Sequence, residues 1–73
     1  MNHTIDSDIK NSNIEYCINE YVRIIKHRQI LKEKWFEGMT IGELSAKYNY
    51  SETTIKDIMR DIGNPILLKA SKM

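Results

Sequence analysis

The chain has 73 residues, a formal net charge of +1, one cysteine and 41% hydrophobic residues. That length allows a single domain with a small core, and it is too short to enclose a substrate, which argues against an enzyme. A lone Cys17 excludes an internal disulfide and fits a reducing cytoplasm, and no apolar run is long enough to cross a membrane.

The position of charge says more than its sum. Residues 1–22 carry Lys10 against Asp6, Asp8, Glu15 and Glu20, a balance of −3, and residues 23–73 carry the remaining +4 that brings the total to +1. The chain is therefore weakly polarised, with its basic side in the C-terminal two thirds.

Residues 1–12 are polar, with only Ile5 and Ile9 to bury, and are expected to form a flexible arm without a signal peptide's basic start and apolar stretch. His3 stands there without a second ligand at metal spacing, so no metal or cofactor is expected. Residues 13–37 contain no Pro or Gly. Their apolar members Ile14, Cys17, Ile18, Tyr21, Ile24, Ile25, Leu31, Trp35 and Phe36 fall on one face at 3.6 residues per turn. One continuous helix would be roughly 37 Å long, more than a short motif can cover. A break near residues 26–28 would let the first piece fold back, and that arrangement is preferred because it buries more per molecule. In either case Ile14, Ile18, Tyr21 and Ile25 are the candidates for a dimer surface, with core burial the equal alternative. Gly38 is placed to end this helix in a left-handed cap.

Residues 40–60, TIGELSAKYNYSETTIKDIMR, read as two short helices and a tight turn. Thr40 and Glu43 have the spacing of a capping box, and Ser51 opens a second helix whose inner face is Ile55, Ile58 and Met59. Leu44 and Tyr48 give the first helix its apolar face, and Ser45 is small where the helices cross. Asn49 tolerates the left-handed backbone that the reversal needs. Residues 63–65, Gly-Asn-Pro, are expected to stop the second helix. Ile66, Leu67 and Leu68 form a run too short to stand alone, and residues 69–73 are expected to fray. The fold class is thus all-α, a three- to four-helix bundle over residues 13–68 that contains a helix-turn-helix at 40–62.

The stretch WFEGMTIGELSAKYNYSETTIKDIMR resembles the helix-turn-helix of sigma factor region four and of small sigma-like DNA-binding proteins of bacteria and phages. Gly38 before a Thr-initiated helix, Ser45 within it, and Ser51 followed by Thr54, Ile55 and Lys56 carry the resemblance, which extends over residues 21–60. Arg28, Ile30 and Leu31 fit the preceding helix of that family. Two features depart from the pattern: Asn49 stands where Gly is commonest, and the second helix carries Asp57 and Asp61.

The resemblance implies a transcriptional regulator that binds double-stranded DNA by placing the helix from Ser51 in the major groove. On that basis Ser51, Glu52 and Thr53 would face base edges, Lys56 guanine or phosphate, and Arg60 phosphate. Glu52 has the alternative of pairing with Lys56 one turn later. Thr40 and Lys47 are candidate backbone contacts, as is Arg28 within the basic set Arg23, Lys26, Arg28, Lys32 and Lys34. Asp57 and Asp61 should tilt away from DNA. They also motivate a second expectation, a protein-interaction module of the same fold that binds RNA polymerase or another protein. His27 is most simply a surface residue.

Overall fold

A computed structural model describes residues 9–73, and these residues are helical with no strand among them. The elements are α1 (Asn11–Tyr21), α2 (Ile25–Phe36), α3 (Ile41–Tyr48), α4 (Glu52–Ile58), a π-helical turn (Met59–Gly63) and α5 (Asn64–Ser71). Ile58, Met59, Gly63 and Asn64 all have right-handed helical dihedrals, so α4, the wide turn and α5 form one bent rod. The architecture is a four-helix bundle measuring 33 × 29 × 19 Å. The helix-turn-helix α3–α4 lies against α2, and α5 returns to pack along α1.

One core joins every helix. Ile14, Cys17 and Ile18 of α1 meet Ile30 and Leu31 of α2, Leu44 of α3, Ile55 and Ile58 of α4, and Ile66 and Ala70 of α5. Ile18, Ile30, Leu31, Leu44 and Ile55 are fully buried, and each such side chain contributes about 1.5–3 kcal/mol relative to an exposed one.

The first two helices break at residues 22–24, earlier than the expected 26–28. Val22 and Ile24 adopt extended dihedrals, and Val22 drops into the core with 4% of its surface exposed. Burying this β-branched side chain at the corner takes the place of a Gly or Pro breaker. The corner also resets the register of the apolar stripe: Ile14 and Ile18 are core, but Tyr21, Ile24 and Ile25 are exposed by 55%, 53% and 58%. Half of the candidate dimer surface is therefore interior, and only Tyr21 and Ile25 remain on the outside. Phe36, expected in the core, is also exposed.

Residues 63–65 do not stop the chain's last helix. Gly63 is right-handed at φ −66°, and the Asn64 amide donates to the Met59 carbonyl five residues back. Pro65 lacks an amide hydrogen and would drive its ring at the Asp61 carbonyl in a regular α-helix. The wider turn gives that carbonyl room, so the rod bends and continues. Gly63 serves a different purpose from capping. A β-carbon there would stand 3.1 Å from Trp35 Cζ2 and 3.3 Å from Leu31 Cδ2, so glycine lets α2 approach closely.

The bundle reaches further than 13–68 at both ends. Ile9 is buried, α1 starts at Asn11, and the amides of Asn13 and Ile14 donate to the Lys10 carbonyl. The expected fraying of residues 69–73 begins later: α5 continues to Ser71 with Ala70 buried, and Met73, though 61% exposed, has its Sδ 3.4 Å from Cys17 Sγ. The rest of the expected arm, with His3, lies outside the described residues. Among the described residues no helix is long and apolar enough to cross a membrane, and no group of side chains has a metal-holding arrangement.

Candidate nucleic-acid interface

The motif is set up by three local devices. Gly38 takes φ +73° after α2, and the Met39 amide returns to the Glu33 carbonyl at 3.1 Å, which turns the chain toward α3. The capping box at α3 is complete: Thr40 Oγ1 accepts from the Glu43 amide at 3.1 Å, and the Thr40 amide donates to Glu43 Oε1 at 2.8 Å. At α4, Ser51 Oγ accepts from the Thr54 amide at 3.1 Å.

Between the helices Asn49 sits in the left-handed region at φ 59°, ψ 39°. The Ser45 carbonyl accepts from the amides of both Asn49 and Tyr50, and the Ser45 hydroxyl donates to the Tyr50 carbonyl. Ser45 therefore fastens the turn as well as being small enough for it. These bonds hold α3 against α4 with Leu44, Ile55 and Ile58 turned inward.

What remains exposed on α4 is Glu52, Thr53, Thr54 and Lys56, with Ser51 at its start and Arg60 on the wide turn that follows. Glu52 does not reach Lys56. Its Oε2 lies 3.4 Å from the position a Gly42 β-carbon would take, at the first turn of α3. A carboxylate there lies toward the positive end of the α3 dipole, which favours it. Lys56 has no ion-pair partner among the described residues. The Ser51 hydroxyl is engaged by Thr54, at 2.9 Å from Thr54 Oγ1, whereas the Thr53 side chain is uncommitted among the described residues.

The other cations of the candidate set are held internally. Arg60 Nε donates to Asp61 Oδ1 at 2.9 Å, and its Nη2 lies 3.2 Å from Asp61 Oδ2 and 3.1 Å from Asp57 Oδ1. The bond from Asp61, with both carboxylates' charge, raises the guanidinium pKa, and reciprocally Arg60 holds Asp61 below the usual carboxylate range. Asp57 and Asp61 thus turn toward Arg60 and cancel its charge.

On α3, Lys47 Nζ is 2.8 Å from Glu33 Oε2, and that bond raises the lysine pKa. Glu33 is nearly buried beneath α3, where burial, then Glu33, pushes the Tyr48 phenol up. Arg28 is half-buried, and its Nε donates to the Val22 carbonyl and braces the α1–α2 corner. Of the sequence-based candidates, Thr40, Ser51, Glu52, Thr53, Lys56 and Arg60 gather at the motif, and Lys47 lies on α3 within it but is paired with Glu33. Arg28 does not join them.

Two residues outside that set belong to the same region. Lys26 Nζ stands 5.6 Å from the centre of the Tyr50 ring, which puts the start of α2 beside the turn. Lys26 is visible in the sequence only as one of the five basic residues Arg23, Lys26, Arg28, Lys32 and Lys34, and nothing in the linear pattern pairs it with Tyr50. No family model, no curated protein and no solved structure matches this chain.

Proposed function

We propose that the chain is a transcriptional regulator that binds double-stranded DNA, with α4 entering the major groove and Thr53 and Lys56 facing the bases. The observation that carries this is the capped α3–turn–α4 unit, whose left-handed Asn49 and inward Leu44, Ile55 and Ile58 leave the outer side of α4 uncovered. The resemblance to sigma factor region four points the same way, and the buried reduced thiol of Cys17 accords with a cytoplasmic setting.

The test is fluorescence anisotropy with duplex DNA over a salt series, after selection from a random-sequence pool. Affinity should fall steeply with salt, and Lys56→Ala should flatten the slope of log affinity against log salt by about one unit. Binding that is absent, or that ignores salt, would overturn the proposal.

A second reading rests on Arg60. Its charge is more than cancelled by Asp57 and Asp61, so the cluster at the junction of α4 and the wide turn is net negative and suits a basic protein surface, such as one on RNA polymerase. Under that reading Asp57→Lys abolishes capture of a purified polymerase subunit and leaves DNA binding no weaker.

A further inference from the structure

We infer that Lys26, held over the Tyr50 ring, is a phosphate-contacting residue that fixes the DNA backbone beside the start of α4; the inference rests on the DNA-binding function proposed above. It follows from asking which cations keep their charge. Lys32 lies 3.9 Å from Glu15, Lys47 2.8 Å from Glu33, and Arg60 is gripped by two aspartates. The two lysine pairs are close to neutral as seen by a polyanion, and Arg60 with its two aspartates is net negative. Arg28 keeps its charge but spends its donor at Nε on the Val22 carbonyl at the α1–α2 corner. Lys69 lies 4.6 Å over the Tyr21 ring, on the α1–α5 side of the bundle away from the motif.

Lys26 differs on both counts. Its neighbour is an aromatic ring, which attracts an ammonium through its quadrupole without carrying a negative charge, so the full positive charge remains. The ring also limits where the ammonium can go, which lowers the ordering cost of a phosphate contact. Its location is equally specific. Tyr50 is the residue immediately before Ser51, the cap of α4, and its own carbonyl is tied to Ser45, so the ring is anchored to the turn. An ammonium on that ring travels with the start of the helix proposed to enter the groove. A phosphate bound there would set the depth and angle of α4, as backbone contacts do in groove-reading proteins. Lys26 is therefore a positioning residue, and Lys56 is the residue at the bases.

The experiment uses the full chain and a fluorescent random-sequence duplex, so that only backbone contacts are read. Lys26→Ala should lower the salt slope by about one unit and weaken binding to every sequence alike. Lys26→Arg should restore the slope, and Lys32→Ala, whose charge is already paired with Glu15, should leave it unchanged. Tyr50→Leu, checked for an intact helical circular dichroism spectrum, should weaken binding while keeping most of the slope, because the charge survives but its placement is lost. If wild type and Lys56→Ala behave as proposed and Lys26→Ala keeps the wild-type slope, this inference alone is overturned. A wild-type chain without salt-dependent binding overturns the DNA-binding reading itself.

Discussion

Trp35 and Gly63 touch so closely that a single added methyl group would have to displace the indole: a β-carbon at Gly63 would lie 3.1 Å from Trp35 Cζ2. Two effects compete in Gly63→Ala. Alanine favours the helix by about 0.5–1 kcal/mol, and overpacking against the ring and Leu31 costs about 1–3 kcal/mol. Since Gly63 has ordinary helical dihedrals, no backbone strain is added. Gly63→Ala should destabilise by about 1 kcal/mol in urea unfolding, and Trp35→Leu in the same chain should recover part of it.

Arg60 predicts a result opposite to the one its charge suggests. With its guanidinium held by Asp57 and Asp61, Arg60→Ala should change the salt slope of DNA binding much less than Lys56→Ala. Asp57→Asn and Asp61→Asn, which release Arg60 and remove a repelling charge, should each tighten duplex binding roughly threefold to tenfold at low salt. Titration by anisotropy checks both, and unchanged affinity in the two asparagine variants would show that this end of α4 lies off the duplex.

The caps should be measurable one at a time. Ser51→Ala and Thr40→Ala each remove a side-chain acceptor for an otherwise unpaired amide and should cost about 1 kcal/mol of stability. Asn49→Ala places a β-carbon residue without Asn's tolerance at φ 59° and should cost about 1 kcal/mol, and Asn49→Gly should cost less. Thermal melts followed at 222 nm, roughly the helix band, report all four.

Ile18 separates core from surface. It is fully buried, so Ile18→Ala should cost about 2–4 kcal/mol whatever the oligomeric state. Ile24→Ala and Ile25→Ala, more than half exposed, should shift stability by no more than about 0.5 kcal/mol. If the chain self-associates through this corner, sedimentation will show the exposed-site variants losing mass while remaining folded.

His27 gives stability a slope in mildly acidic solution. Burial lowers its pKa from 6.5, so the unfolded chain takes up a proton before the folded one does. Its contribution is complete above pH 6.5 and declines as pH falls through the window between 6.5 and the lower folded value. Removing the titration with His27→Gln should flatten urea midpoints across that window and leave those at pH 8 relatively unaffected.

Much of the motif was legible because its signals are local. A capping box needs only Thr40 and Glu43, the left-handed turn only Asn49, and the inner face of α4 only the spacing of Ile55 and Ile58; all appear as read. Signals with two competing uses resolve only in three dimensions. Gly63 before Pro65 is a sound helix stop, but here the same residues make a wide turn and a docking point for Trp35. Glu52 could pair with Lys56 by spacing, but the start of α3 lies closer in space.

The sequence by itself determined that the chain is all-helical, where α3 and α4 begin and how they turn, because hydrogen bonds within a few residues and the period of apolar side chains decide those features. Only the tertiary structure decided where α1 ends, which isoleucines are core, that α5 closes on α1, and which cations retain their charge. Those outcomes depend on partners distant in the chain: Val22 entering the core, Trp35 against Gly63, Glu33 beside Lys47, and Tyr50 beneath Lys26. No periodicity encodes such pairings, since each arises from packing one helix against another.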